Sequence, residues 1–261
     1  MGQQSGEIAE IVRYKELLRN LVTRDIKVRY KRSVLGFFWV MLNPLLMMLV
    51  MSMVFSGLFK VSTPNYTSYL LSGIILWNFF SQSTTTSVVS LISNSSLIKK
   101  IYIPKAIFPL SVILSAVVNF LFSLVPLLLI IYFTGGSISG RVYLLPVILL
   151  LVALFSFGIA LLLSTLTVFF HDTIYIYDVL LMVWMYATPI FYPESIIPGK
   201  FSFILHFNPF YYYLTVFRGA LYLDISAVSV KLLYGLLSSL VSVTVGWLFY
   251  RANKDKIIYH I

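Results

Sequence analysis

No cysteine occurs among the 261 residues. Disulfides, thiolate metal sites and a cysteine nucleophile are therefore excluded. Acids are scarce as well: Asp and Glu together number nine. An enzyme acting on lipid-linked sugars at a membrane surface needs clustered acids, His or Arg, often around a metal. Only Asp172 and Asp178, with His171 beside them, come near to such a cluster. They read as a solvated helix start, with the acids well placed near its N-terminal dipole, and no metal site is expected. A phosphate-cradling loop is missing too. Residues 135–142 have the right glycine spacing, but Arg141 replaces the lysine and Val142 the Ser/Thr, and an apolar run precedes them instead of a strand.

The widest absence is of charge in the middle of the chain. No charged side chain lies between Arg32 and Lys60, from Val61 to Ile98, from Ala106 to Gly140, or from Val142 to Phe170. Each stretch exceeds the roughly 20 apolar residues that a helix needs to cross about 30 Å of hydrocarbon. Apolar residues make up 59% of the chain, against about 45–50% in soluble domains. An all-α polytopic membrane protein is expected, as one domain with six transmembrane helices. Charges inside spans would mark an ion-coupled carrier, and only Asp178 clearly qualifies.

Six spans are expected over about residues 35–59, 66–91, 107–134, 142–169, 174–191 and 225–250. Short turns join most of them, such as residues 60–65 and the glycine-rich 135–140. Asn43-Pro44 lies within the first, and a kink is expected where Pro44 withholds its N–H. Before it, residues 8–31 form an amphipathic segment. Ile11, Tyr14, Leu17, Leu18 and Leu21 share one helical face, and Arg13, Arg24, Lys27 and Lys31 gather on a neighbouring one. This predicts an N-terminal helix lying in the membrane interface. From Met1 to Ser33 no apolar run suits a cleavable signal, so the first span is expected to act as an uncleaved one. Residues 192–224 are apolar but broken by Pro193, Pro198, Gly199, Asn208-Pro209 and Arg218-Gly219. Short apolar pieces of this kind suit a re-entrant or interfacial segment before the last span.

The net charge of +10 is spread unevenly. Eight Lys and Arg precede the first span, Lys99, Lys100 and Lys105 lie in residues 94–105, and Arg251, Lys254 and Lys256 close the chain. Fourteen of the nineteen basic residues thus fall on one side. Both termini and residues 94–105 are expected to be cytoplasmic, in an inner, multi-pass location. The charge is read as orientation and not as a nucleic-acid footprint.

Two local patterns point to partners. Leu97, Ile98, Lys99, Lys100, Ile101, Tyr102 and Ile103, closed by Pro104, sit between two spans. Apolar side chains in a cytoplasmic loop favour burial against a partner protein. Aromatics make up 16% of the chain. Many suit the interfacial belt. A second reading makes Phe37, Phe38, Trp39, Tyr175 and Tyr186 a ladder for sugars, whose C–H faces pack on aromatic rings. Phe37, Phe38 and Trp39 are consecutive, so they cannot all face one path.

The run from Arg24 to Trp39, leading into Leu42-Asn43-Pro44-Leu45, resembles the start of membrane subunits of type-2 ABC exporters for polysaccharides, such as O-antigen, capsule and teichoic-acid permeases. Residues 97–109 resemble the coupling region of these proteins, and Thr188–Pro193 and Asn208-Pro209-Phe210 continue the likeness. The resemblance implies a homodimer with two cytoplasmic ATPase subunits and a lipid-linked polysaccharide substrate. It implies that ATP and Mg are bound by the partner and no cofactor by this chain, and that two short re-entrant helices precede the last span. Leu35-Gly36 would then shape the cytoplasmic entrance. Exporters of lipids or drugs share the fold and stand as the alternative.

Overall fold

The structure, a computed structural model, describes residues 10, 13–59, 65–135, 139–222 and 228–261. Residues 60–64 of the expected turn at 60–65, Ile11, Gly136, Ser137 and the expected start of the last span at Ile225 lie outside them. Among the described residues every regular element is helical. Four segments, Gly36–Phe55, Ile107–Phe133, Val142–Phe169 and Val228–Asn253, are long and apolar enough to cross a membrane.

Helix α1 (Lys15–Tyr30) turns its apolar face onto protein. Leu21 is buried, and Tyr14, Leu17 and Leu18 pack on the same cluster. The chain then turns through Arg32 and Gly36, both at positive φ, and a 3-10 turn leads into α2 (Trp39–Phe59). Pro44 lies inside α2. It cannot donate to the carbonyl four residues back, which is Val40. Ser123 Oγ donates to that carbonyl instead, at 3.2 Å.

Helix α3 (Tyr66–Val88) is the centre of the molecule. It is buried along both ends and most of its girth, and it packs on α2, on α6 (Ile107–Phe133) and on α7 (Leu145–Phe169). A long helix surrounded by its neighbours needs no continuous lipid-facing surface, and α3 accordingly tolerates Ser, Thr, Asn and Gln. Between α3 and α6 the chain runs through two short helices, α4 (Ser90–Ser93) and α5 (Ser95–Lys100), and an extended stretch. The span expected to reach residue 91 therefore ends at Val88.

Helix α8 (Thr173–Tyr186) has 14 residues and stops five short of the expected Phe191. Pro189 removes a donor, and Asn208 wedges in at the break. Its Nδ2 donates to Thr188 Oγ1 at 2.8 Å, while its Oδ1 accepts from Trp184 Nε1 at 2.7 Å and from the Phe210 amide at 3.0 Å. One amide thus ties down the end of α8 and caps the helix that follows Asn208. Among the described residues after Phe191, two 3-10 turns lead to α9 (Ser202–Phe207) before Asn208 and α10 (Pro209–Leu221) after it.

Helix α11 (Val228–Asn253) lies against α7 along a seam of small residues. A Cβ on Gly158 would run into the Ser242 backbone, and one on Gly246 into Gly158. The close approach lets Ser239 Oγ donate to the Leu151 carbonyl at 2.9 Å and Ser242 Oγ to that of Phe155 at 2.8 Å. A last turn, α12 (Ile257–His260), folds back on α7. The side chains of Leu21, Leu91, Ile98, Ile103, Phe108, Tyr250 and Ile257 form a small core at this end. That end carries α1, α5 and α12 and is called the basic end below.

Candidate functional site

The α5 region is built from the inside out. Ile98 and Ile103 are buried in the small core at 5% and 6% exposure, and Pro104 is buried beside them. Leu97 is half-buried. Lys99 and Lys100 are exposed, as are Ile101 and Tyr102, the latter at 80%. The pattern follows from the backbone. A helical turn places Ile98 inward and Lys99 and Lys100 outward, and the stretch after it exposes Ile101 and Tyr102 before Ile103 and Pro104 turn inward. Three ties fix the segment. Tyr14 Oη donates to the Tyr102 carbonyl at 3.0 Å, Lys105 Nζ to that of Lys254, and the Ala106 amide to Tyr250 Oη at 3.3 Å. The outward surface is thus rigid, basic and apolar, and it borders a groove of about 400 Å³ shared with Ile258 and Tyr259 of α12. Of the expected contact residues, Ile98, Ile103 and Pro104 are anchors, and the surface is made by Lys99, Lys100, Ile101 and Tyr102.

At the start of α2, Leu35 is exposed and Gly36 holds φ +50 with open space around it. Phe37 packs edge-on against Phe122 at 4.5 Å between ring centres. Phe38, Trp39, Tyr175 and Tyr186 are exposed in the single chain. The first three aromatics stand together at the basic end of α2, Tyr175 is near the start of α8, and Tyr186 is at its far end. Phe191 links the two helices at that far end: its ring lies 6.0 Å from Phe55 and 6.5 Å from Tyr186. The helices carrying the expected ladder are therefore joined, but its five rings do not form one stack.

Sequence reasoning missed Arg218, which it took only as a chain-breaking neighbour of Gly219. It is 4% exposed. Its guanidinium donates to the carbonyls of Pro189 at 2.9 Å, Tyr69 at 3.0 Å and Ile190 at 3.2 Å, and lies 3.5 Å over the Tyr69 ring. Tyr69 Oη adds bonds to the Pro189 and Tyr192 carbonyls, at 2.9 and 2.8 Å, and Tyr66 Oη one to Phe191 at 2.6 Å. Residues 189–192 are thus lashed to α3 and α10. The signal available was a lone cation in an apolar run, which must find acceptors if buried. Among the described residues no three His, Cys, Asp or Glu come together in a way that could hold a metal.

This arrangement positions surfaces for binding. A family profile described as ABC-2 type transporter matches residues 16–222. The chain belongs to that family. It is a multi-pass membrane permease subunit and is not itself catalytic. An O-antigen export system permease protein of Klebsiella pneumoniae is 36% identical over 196 residues, covering 74% of this chain and 75% of the relative. One from Myxococcus xanthus is 32% identical over 240 residues, covering 87% and 92%. A polysialic acid transport protein of Escherichia coli is 24% identical over 251 residues, covering 94% and 96%. The family match begins in α1 and ends just beyond α10, so it takes in the α5 surface and the Arg218 knot.

Proposed function

We propose that this ABC-2 permease exports a lipid-linked polysaccharide of O-antigen type across the cytoplasmic membrane, driven by ATP hydrolysis in separate ATPase subunits. The observation that carries the reading is the likeness, over 74% and 87% of the chain, to permeases named for O-antigen export. The geometry supports it in three ways. The rigid outward surface of Lys99, Lys100, Ile101 and Tyr102 suits a groove on a cytoplasmic ATPase, where ATP and Mg would be bound. Helices α3 and α8 supply the two crossings beyond the four long apolar helices, with α3 shielded by its neighbours. The short α9 and α10 fit a re-entrant pair held at one depth by Asn208 and Arg218. In this reading the chain works as a homodimer with two ATPase subunits, and both termini are cytoplasmic. Leu35 and Gly36 border the entrance, and Phe37, Phe38, Trp39, Tyr175 and Tyr186 contribute weak contacts to a sliding glycan.

The test is a deletion of the gene in its host, with surface glycan and intracellular lipid-linked glycan both measured. Surface glycan should disappear while the lipid-linked form accumulates, and the wild-type gene should reverse both. Normal surface glycan in the deletion strain would overturn the reading.

A further inference from the structure

Two cavities, of about 230 and 510 Å³, meet at Arg29, which lines both. Their walls are unusually polar for an apolar bundle. Ser111, Ser115, Asn119 and Ser123 recur every four residues along one face of α6. Asn78, Gln82, Thr86 and Ser90 recur at the same interval along α3 and into α4. All eight line the two cavities, which therefore form one cleft between these rows. From Ser111 to Ser123 the row runs about 18 Å, at 1.5 Å per residue, from the basic end to the middle of α6.

The cleft presents acceptors inside and a cation at its mouth. Ser111, Ser115 and Ser123 each spend their proton on backbone carbonyls, at 2.8 Å for the first two, and keep an oxygen able to accept. Ser90 is only 3% exposed, and among the described residues its hydroxyl has no partner. The side-chain oxygen of Asn119 is also buried without one. Unmatched buried polar atoms are costly, so these two mark where a donor is wanted. At the mouth, Arg24 is engaged by Asp25 at 2.9 Å and by Asn94 at 3.1 Å. Among the described residues Arg29 donates only to Gln82, at 3.3 Å, and is the net positive charge there.

We propose that this cleft takes the phosphorylated, hydroxyl-rich head of the lipid-linked substrate, with phosphate at Arg29 and sugar hydroxyls donating to Asn119, Ser90 and the α6 serines. The proposal rests on the export reading above. A phospholipid with a polyol head offers the same chemistry from the membrane itself. The length of the row favours the substrate, because it exceeds a glycerophosphate head and suits a diphosphate followed by sugar.

The absence of cysteine makes the test direct. Thr86→Cys places one thiol in the cleft, and Thr23→Cys places a control on the exposed side of α1. Each variant is purified with its ATPase partner and put in phosphatidylcholine nanodiscs. Labelling by a small maleimide is followed with farnesyl-diphospho-N-acetylglucosamine, phosphatidylglycerol or inorganic pyrophosphate added. The sugar lipid should slow labelling at Thr86→Cys about tenfold and leave Thr23→Cys unchanged. Adding Arg29→Gln or Asn119→Leu should raise the half-protecting concentration about tenfold. Equal protection by phosphatidylglycerol would make the cleft a membrane-lipid site and overturn the assignment. So would protection by pyrophosphate alone. No protection by any probe, while the sugar lipid still stimulates ATP hydrolysis, would remove the cleft and leave the export reading standing. A complex whose ATPase ignores the sugar lipid as well would count against both.

Discussion

Arg218 is a buried cation whose described hydrogen bonds all go to neutral oxygens. Its planar fork reaches several carbonyls at once, which a lysine cannot do. Arg218→Leu should therefore strand the Ile190 carbonyl, leave those of Pro189 and Tyr69 with only Tyr69 Oη and Ser72 Oγ as side-chain donors, and destabilise the protein by about 3 kcal/mol. Arg218→Lys should recover only part of this. Thermal unfolding of the purified protein in detergent decides it, and an unshifted midpoint for Arg218→Leu would sink the account. Gly36 gives a cleaner case. Its φ of +50 is the only obstacle to a side chain, since open space surrounds it. Gly36→Ala should cost about 1 kcal/mol, and Gly36→Asn much less, because Asn tolerates the left-handed region. Equal costs for the two would mean that something other than backbone conformation is at work. Neither requirement was easy to read in the sequence. Arg218 read as a chain-breaking neighbour of Gly219, and nothing in a Leu-Gly pair announces a positive φ.

At the scale of elements, the α5 region divides its residues between anchoring and display. Ile101→Asp with Tyr102→Asp should leave insertion and protein level unchanged and lower transport-coupled ATP hydrolysis at least tenfold, read on the reconstituted complex. Ile98→Asp should behave differently and reduce the amount of folded protein, because it places a charge in the core shared by α1, α6 and α12. Identical behaviour of the two variants would erase the distinction. The α7–α11 seam sets a second condition. Gly246→Leu has no room against Gly158, and overpacking there should destabilise by about 3 kcal/mol. The sequence showed most helices to within a few residues, because long apolar runs of α2, α6 and α7 have no competing interpretation. It hid the seam, since glycines and serines in an apolar run read as neutral filler. It also misplaced the end of α8, because the amide that stops this helix, Asn208, lies 22 residues beyond Tyr186.

For the whole molecule, the gathering of α1, α5 and α12 at one end agrees with the asymmetry of basic residues, which came from counting and not from contacts. Reporter fusions after residue 33, at residue 96 and after Ile261 should all report the cytoplasm. Periplasmic activity of any one would overturn the orientation. The polar rows of α3 and α6 were also legible as letters four residues apart, but not as a cleft, because only packing brings two such rows face to face. One dimension carries a further consequence. The 14 residues of α8 make a rod of about 21 Å, beside a hydrocarbon layer of about 30 Å. In the proposed six-span arrangement, lipid meeting that flank must dip to match it, at a modest cost per ångström of mismatch. The membrane is then dimpled beside the protein, and a polar head travelling along this wall crosses a shallower oil than it would elsewhere. Vesicles of longer-chain lipids should deepen the dimple, raise its cost and slow transport, while shorter chains should speed it.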